Sequence, residues 1–403
     1  MPTAGRRGRG AALLCALTAL LTACSSADGA APAAETTTAT TTTPSSTAPT
    51  GEPSSAPSGP EERVAMALSR LDRRAQISQL FLAGVPLDDL GAGDALAPSG
   101  LGGLFLAGRS DAPVAELAAT AQRWQSLAPY PDLWLAADQE GGAVQSLRGP
   151  GFDRLPSALD QSALPPADLA ALAEGMGTAL RDAGLNLDLA PVADVVPAGT
   201  EAGNAPVGAF DRQYGSSPDS VGTAVGTVID GLARAEVTAT LKHFPGLGRV
   251  HQNTDTTAGV TDSVTTADDG QVAVFGDLAR STAHPFVMVS SATYAQIDPA
   301  AQAAFSPVVV TELLRKQLGF DGVVISDDLG NARAVSALPP GERAVRFFAA
   351  GGTLLLTVDP AIVPEMIDAV LERSDSDPAF AATVDAAVRT ALTAKDRAGL
   401  LTG

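Results

Sequence analysis

The stretch GFDGVVISDDLG, residues 319–330, sets the apolar run Gly322–Ser326 between a Gly-containing turn and two adjacent aspartates. A run this apolar does not suit a strand with a solvent-facing side. It suits a parallel sheet covered on both faces by helices. Two acids at its end cost desolvation energy unless something pairs or uses them. A carboxylate there can act as a nucleophile or a metal ligand; the plainer alternative is a helix cap or an ion pair with a lysine. Asp328 suits the cap, and Asp327 suits the chemistry.

Seven further runs share this character: Ile77–Gly84, Leu101–Ala107, Leu133–Ala137, Leu185–Ala190, Val237–Leu241, Phe286–Ser290 and Thr353–Thr357. Longer helical stretches lie among them, at Ala112–Leu127, Pro166–Ala183, Asp219–Ala235, Pro307–Leu318, Gly341–Ala350 and Ala361–Glu372. A last helix is expected over Pro378–Ala398, capped by Asp377 with proline in its first turn. Strand–helix alternation predicts an α/β fold with a TIM-like (β/α)8 barrel as a single domain over 61–403; an open doubly wound sheet or a two-lobed binding protein is the rival. The strand ends favour one cleft. Asp138-Gln139-Glu140, Asp194, Lys242-His243, Ser290-Ser291 and Asp327-Asp328 each follow an apolar run, which is where a barrel collects its chemistry.

The N-terminus reads differently. Arg6, Arg7 and Arg9 precede an apolar stretch and the sequence Leu21-Thr22-Ala23-Cys24, a pattern expected of a signal peptide over 1–23 with Cys24 as the lipid-attachment residue. Removing it also removes Cys15, which leaves no pair for a disulfide. Residues 24–60, rich in Thr, Ser, Ala and Pro, bury too little apolar surface to fold and read as a tether. The expected location is extracytoplasmic, held to the cell membrane by an acylated Cys24. A formal net charge of −19 argues against a nucleic-acid partner.

Within Asp138-Gln139-Glu140-Gly141-Gly142, a carboxylate can accept two sugar hydroxyl hydrogen bonds while the glycine pair lets backbone approach a ligand; a turn with a cap is the alternative. Lys242 and His243 suit hydrogen bonds to ligand oxygens. A histidine after a strand is as readily a structural one. No metal is expected, because His243 and His251 lie across a Gly-rich loop with no third close ligand and His284 is remote. Gly246-Leu247-Gly248 lacks the third glycine of a dinucleotide fingerprint.

Taken in order, LDRRAQISQLFLAGV (71–85), ADQEGGAVQSLRGPGFDRLPSA (137–158), GLNLDLAPVADV (184–195), FDRQYGSSP (210–218), LKHFPGLGR (241–249) and LLRKQLGFDGVVISDDLG (313–330) resemble glycoside hydrolase family 3, and within it the single-barrel bacterial β-N-acetylglucosaminidases. The resemblance implies a retaining two-step mechanism without cofactor. It matches Asp327 to the nucleophile, and Asp138, Arg212, Lys242 and His243 to residues that bind the sugar in the −1 subsite.

The sequence departs from that pattern twice. Where the family usually carries arginines after the paired glycines, this chain has Ala143 and Ser146, with Arg148 nearby as a candidate contact. Where the family carries a second histidine and then Asp-Ser-His, whose histidine is the acid/base, this chain has Leu247 and Asn253-Thr254-Asp255. Three readings follow. Asp255 is the acid/base, or His251 takes the role with Asp255 orienting it, or the loop has lost the function and the chain hydrolyses slowly, transfers or only binds sugar. The expected activity is cleavage of β-linked N-acetylglucosamine from peptidoglycan-derived fragments by a monomer; a β-glucosidase or a non-catalytic glycan-binding lipoprotein is the alternative.

Overall fold

The structure is a computed structural model and describes residues 59–402. The expected signal segment 1–23, the lipid-attachment residue Cys24 and nearly all of the expected tether lie outside the described residues.

The expected apolar runs form parallel strands: β1 Phe81–Pro86, β2 Gly103–Ala107, β3 Trp134–Ala137, β4 Leu187–Asp188, β5 Thr240–Phe244, β6 Phe286–Val289, β7 Val324–Ser326 and β8 Leu355–Thr357. They form a five-stranded sheet ordered β8-β1-β2-β3-β4 and a three-stranded sheet ordered β7-β6-β5. Every ladder within both is parallel. Single parallel bridges join Leu187 to Thr238 and Ile325 to Leu354, at the two places where one sheet faces the other. The fold class is therefore α/β with parallel sheets, seen as ladders of five and three strands.

The chain enters through helix α1 (Pro60–Arg70). Between strands lie α2 (Val114–Leu127), α3 (Pro166–Asp182), α4 (Pro218–Arg234), α5 (Gly270–Ala279), a π-helical segment Val308–Gln317, and α6 (Pro340–Ala349); α7 (Val363–Ser376) and α8 (Pro378–Arg397) follow β8. Asp377 caps α8 by accepting from the Ala379 and Phe380 amides, as its sequence implies. Side chains from different strands pack edge to face in the core, as Trp134 and Phe286 do at 5.2 Å, each such residue contributing about 1.5–3 kcal/mol by burial.

Two strands start well after their apolar runs, and one helix was not among those expected. Ile77–Leu80 is not strand: Asp72 accepts from the Ala75 amide and starts a short helix, Arg73–Ser78, that delays β1 to Phe81. Strand β5 begins at Thr240 and runs through Lys242 and His243, so this pair lies in the strand and not after it. Helix α5 is hidden in the sequence because residues on most of its faces are buried, from Gln271 to Leu278. It leaves no polar stripe to set a 3.6-residue period.

Candidate active site

The strands' C-terminal ends surround a cavity of about 520 Å³ lined by Asp138, Arg212, Lys242, His243, Asp255 and Asp327, among others. Neighbouring side chains along a strand normally face opposite ways. The β5 ladder, however, shifts register between Lys242 and Phe244, and Lys242 and His243 both reach the cavity. Such an irregularity re-aims a side chain.

Beneath the cavity lies a buried charge network. Arg212 makes a two-pronged bond to Glu140, Nε to Oε2 at 2.8 Å and Nη2 to Oε1 at 2.7 Å. The Lys242 ammonium lies 2.6 Å from Glu140 Oε1 and donates to Asp138 Oδ1 at 2.7 Å. Burial by itself would push the Glu140 carboxyl up, but Arg212 and then Lys242 outweigh it and hold it down to about 2. Burial opposes the Lys242 charge too, yet Asp138 and Glu140 raise it above an ordinary lysine. Both cations therefore stay charged, and Asp138, the more exposed partner, presents its carboxylate to the cavity. Asp188, fully buried on β4, accepts the Gln139 amide at 3.0 Å and so fixes the backbone between Asp138 and Glu140. Its second oxygen has no partner, and burial pushes its carboxyl up to about 8.

His243 is oriented from behind. Its Nδ1 lies 2.7 Å from Asp194 Oδ2, and Asp194 Oδ1 accepts the His243 and Leu247 amides. A carboxylate only accepts, so Nδ1 carries the proton and Nε2 is left for a ligand.

Asp327 is half-buried at the end of β7, its amide donating to the Val289 carbonyl at 3.2 Å. Burial pushes its carboxyl up to about 6; His243 pulls it down and Asp255 pushes it up. Asp328 behaves as a cap, its oxygens accepting the Gly330, Asn331 and Val358 amides. What it closes is a turn onto β8 and not the helix expected.

The altered loop is firmly held. Asn204 donates to the Leu247 and Val250 carbonyls, both at 2.7 Å. The Arg333 and Ala334 amides donate to the Asp255 and Thr254 carbonyls, both at 3.0 Å. Asp255 thus reaches the cavity on a pinned backbone, and among the described residues no donor reaches its carboxylate. Leu247, 2 % exposed, lines the cavity with an apolar side chain.

Two candidates fall outside the cavity. His251 is exposed with Nδ1 3.2 Å from the Gly203 carbonyl, because the loop passes through Asn253 before returning. Arg148 donates through Nε to the Gln145 carbonyl at 2.8 Å and does not line the cavity; Arg109, from the loop after β2, does. The glycine pair also serves another end: Gly141 and Gly142 have φ of 102° and 53°, and a Cβ would meet Pro156 and Ser157 and not a ligand.

Glu140, Asp194 and Arg109 are site residues that the sequence shows without assigning. The signal for the first two is an acid at a strand's end, as for Asp327; for Arg109 there is only its place after β2. A larger cavity of about 860 Å³ opens at the opposite ends of the strands, against α8. It holds no comparable carboxylate pair beside buried cations. Among the described residues, no group of three or more His, Cys, Asp or Glu is placed to hold a metal ion.

The chain is similar to several known proteins. A curated β-hexosaminidase from Xanthomonas axonopodis is 34% identical over 307 residues, covering 73% of this chain and 88% of that one. A β-N-acetylhexosaminidase structure from Beutenbergia cavernae is 45% identical, with a TM-score of 0.77, covering 81% of this chain and 99% of that one. A family 3 β-N-acetylglucosaminidase structure from a Paenibacillus species is 28% identical, with a TM-score of 0.72, over 83% of this chain and 64% of that one. The model of the glycosyl hydrolase family 3 N-terminal domain matches residues 74–394, and with eight parallel strands aiming Asp327, Lys242 and His243 into one cavity, the chain belongs to glycosyl hydrolase family 3.

Proposed function

We propose that this chain removes β-linked N-acetylglucosamine from a glycan by a retaining mechanism, with Asp327 as nucleophile and Asp255 as acid/base. The observation that carries it is the second carboxylate, Asp255, on the same cavity and close enough to raise the Asp327 pKa. Two carboxylates flanking the reacting carbon are what retaining hydrolysis needs. The N-acetylhexosaminidase names of the relatives supply the substrate class. Peptidoglycan-derived fragments are the natural source for a protein tethered outside the cell membrane.

In the first step an Asp327 oxygen bonds to the anomeric carbon as the aglycone C–O bond breaks, and Asp255 gives its proton to the leaving oxygen. In the second, Asp255 takes a proton from water, whose oxygen displaces Asp327 from the sugar. Asp138, Lys242, Arg212 and the Nε2 of His243 hold the sugar, and contacts that tighten at the transition state lower the barrier.

The nucleophile must be ionised to attack, and burial together with the Asp255 charge raises the Asp327 carboxyl to about 6. The acidic limb of the kcat/KM profile should therefore rise through about pH 6, and a profile flat from about pH 4 to 8 would show that ionisation of Asp327 does not limit the reaction. The companion test is Asp255→Asn on 4-nitrophenyl N-acetyl-β-glucosaminide and on the matching β-glucoside. It should lose about 10²–10⁴-fold in turnover and regain rate with azide, while His251→Ala stays near wild type. No release from either substrate, with sugar binding intact, leaves a glycan-binding protein.

The two sheets are read as one closed (β/α)8 barrel, supported by the bridges Leu187–Thr238 and Ile325–Leu354. The location proposed is extracytoplasmic, through acylated Cys24. The apolar stretch before that cysteine supports it, and among the described residues no helix is long and apolar enough to cross a membrane. Cys24→Ser should move the protein out of the membrane fraction and abolish labelling by a fatty-acid probe. Retained labelling and sedimentation would argue against the anchor.

A further inference from the structure

We propose that the cavity of about 860 Å³ at the N-terminal ends of the strands is a second ligand site, suited to a hydroxylated monocarboxylate, a sugar acid. It lies on the face opposite the catalytic cavity and takes no part in the hydrolysis proposed above. One wall is α8. Arg389, Thr393 and Arg397 are four residues apart and share one face of that helix, with Thr390 beside them. Among the described residues, none of these four side chains has a hydrogen-bond or ion-pair partner. The rest of the lining comes from β3 and from the segments that enter β4 to β7. Its Thr238 and Thr282 hydroxyls are likewise unpartnered among the described residues. Trp134, the first residue of β3, is 1 % exposed, and its Nε1 has no partner. An indole N–H only donates, so what meets it is an acceptor.

The charges around the cavity choose the sign of the ligand. Arg181 is matched by Asp182 at 3.0 Å. Asp321 adjoins Gly322, whose carbonyl accepts from Arg315 Nη1 at 3.1 Å. Asp321 thereby offsets the Arg315 guanidinium, which otherwise bonds only to the Gly351 carbonyl and the Thr353 hydroxyl. Arg389 and Arg397 are then set against Glu236 alone, two positive charges to one negative. His284 adds none at neutral pH, because burial and then Arg397 push its imidazole below the usual histidine range, with Asp321 opposing them. A carboxylate balances that excess, and the planar fork of a guanidinium matches its shape. The chain as a whole carries −19, so anions are repelled from most of its surface and gather only where cations are in local excess. Glu236 repels an anion but accepts from hydroxyl groups, and the four threonines can pair with hydroxyls too. A sugar acid therefore fits better than a bare anion, and the volume is of the size that holds a small molecule.

Calorimetry of the full chain with glucuronate, and with glucose as its uncharged counterpart, tests the site. Excess N-acetylglucosamine in both titrations occupies the catalytic cavity. Wild type should bind glucuronate about tenfold more tightly than glucose, as two exposed ion pairs allow. Arg389→Ala/Arg397→Ala should lose that preference. Thr393→Trp, which fills the cavity while keeping both arginines, should lose binding of both sugars. In both variants thermal melts and turnover of 4-nitrophenyl N-acetyl-β-glucosaminide should stay at wild-type values, which separates loss of this site from damage to the fold or to the catalytic cavity. No preference for glucuronate in wild type, or the same preference in Arg389→Ala/Arg397→Ala, overturns the proposal. Glucuronate binding that survives in Thr393→Trp puts the ligand elsewhere and overturns it as well.

Discussion

Asp327 is held at the end of an apolar strand where burial favours its protonated form, up to about pH 6. Its folded-state pKa lies above the ordinary aspartate value, so its stabilising contribution is complete below about pH 4 and is lost as pH rises through 6. At neutral pH the ionised nucleophile works against the fold. Asp327→Asn should therefore abolish turnover yet raise stability, by about 1–3 kcal/mol at pH 7.5 and by little at pH 4. Thermal melts at the two pH values check it, and an equal gain at both would show that the charge is not its source. The neighbouring carboxylate shows how far a residue can be judged alone. Asp328 has the same identity and the same strand, but the Gly330, Asn331 and Val358 amides occupy its oxygens. Both acids stand where the sequence puts them, and they differ in how many backbone donors they meet: three amides occupy Asp328, whereas Asp327 accepts from the Asp328 amide at 2.9 Å.

At the scale of an element, the loop from Gly246 to Thr257 is where this chain leaves its family's pattern, and it remains ordered by contacts outside itself. Asn204 holds its first half, and the amides of Arg333 and Ala334 hold its second. Arg333→Pro is a clean probe, because Ala332 already has φ −57° and ψ 127°, a conformation that suits the residue before proline. The variant removes one donor to the Asp255 carbonyl. It should cost no more than about 1.5 kcal/mol of stability, while lowering kcat about three- to tenfold with KM nearly unchanged, read by steady-state kinetics and denaturant melts. The same loop displays the limits of sequence. That His251 turns out to Gly203 while Asp255 turns in depends on the path of the backbone and on anchors more than forty positions away in the chain.

Over the whole molecule, the charge network under the cavity joins β3, the loop before α4 and β5, with partners 72 and 104 residues apart. Glu140 is its centre. Glu140→Gln leaves Arg212 and Lys242 buried with one negative partner fewer, and should destabilise by about 3–5 kcal/mol, measured by denaturant melts. A loss below 1 kcal/mol would mean water already compensates these charges.

The fold was legible because buried parallel strands must be apolar throughout, and runs such as Gly322–Ser326 or Leu133–Ala137 stand out against polar, helical intervals. Helix α5 was not, since burial on most sides removes the period that reveals a helix. Among the candidates, Asp138, Asp327, Lys242 and His243 line the cavity from strand ends that the sequence marks, whereas Arg148 and His251 lie outside it and Glu140, Asp194 and Arg109 went unassigned. Sequence alone determined the alternation of strands and helices and the acids and cations at the strand ends, since both depend on local pattern. Only the tertiary structure decided which carboxylates meet and which cations they neutralise, because charges act through distances that sequence spacing does not encode.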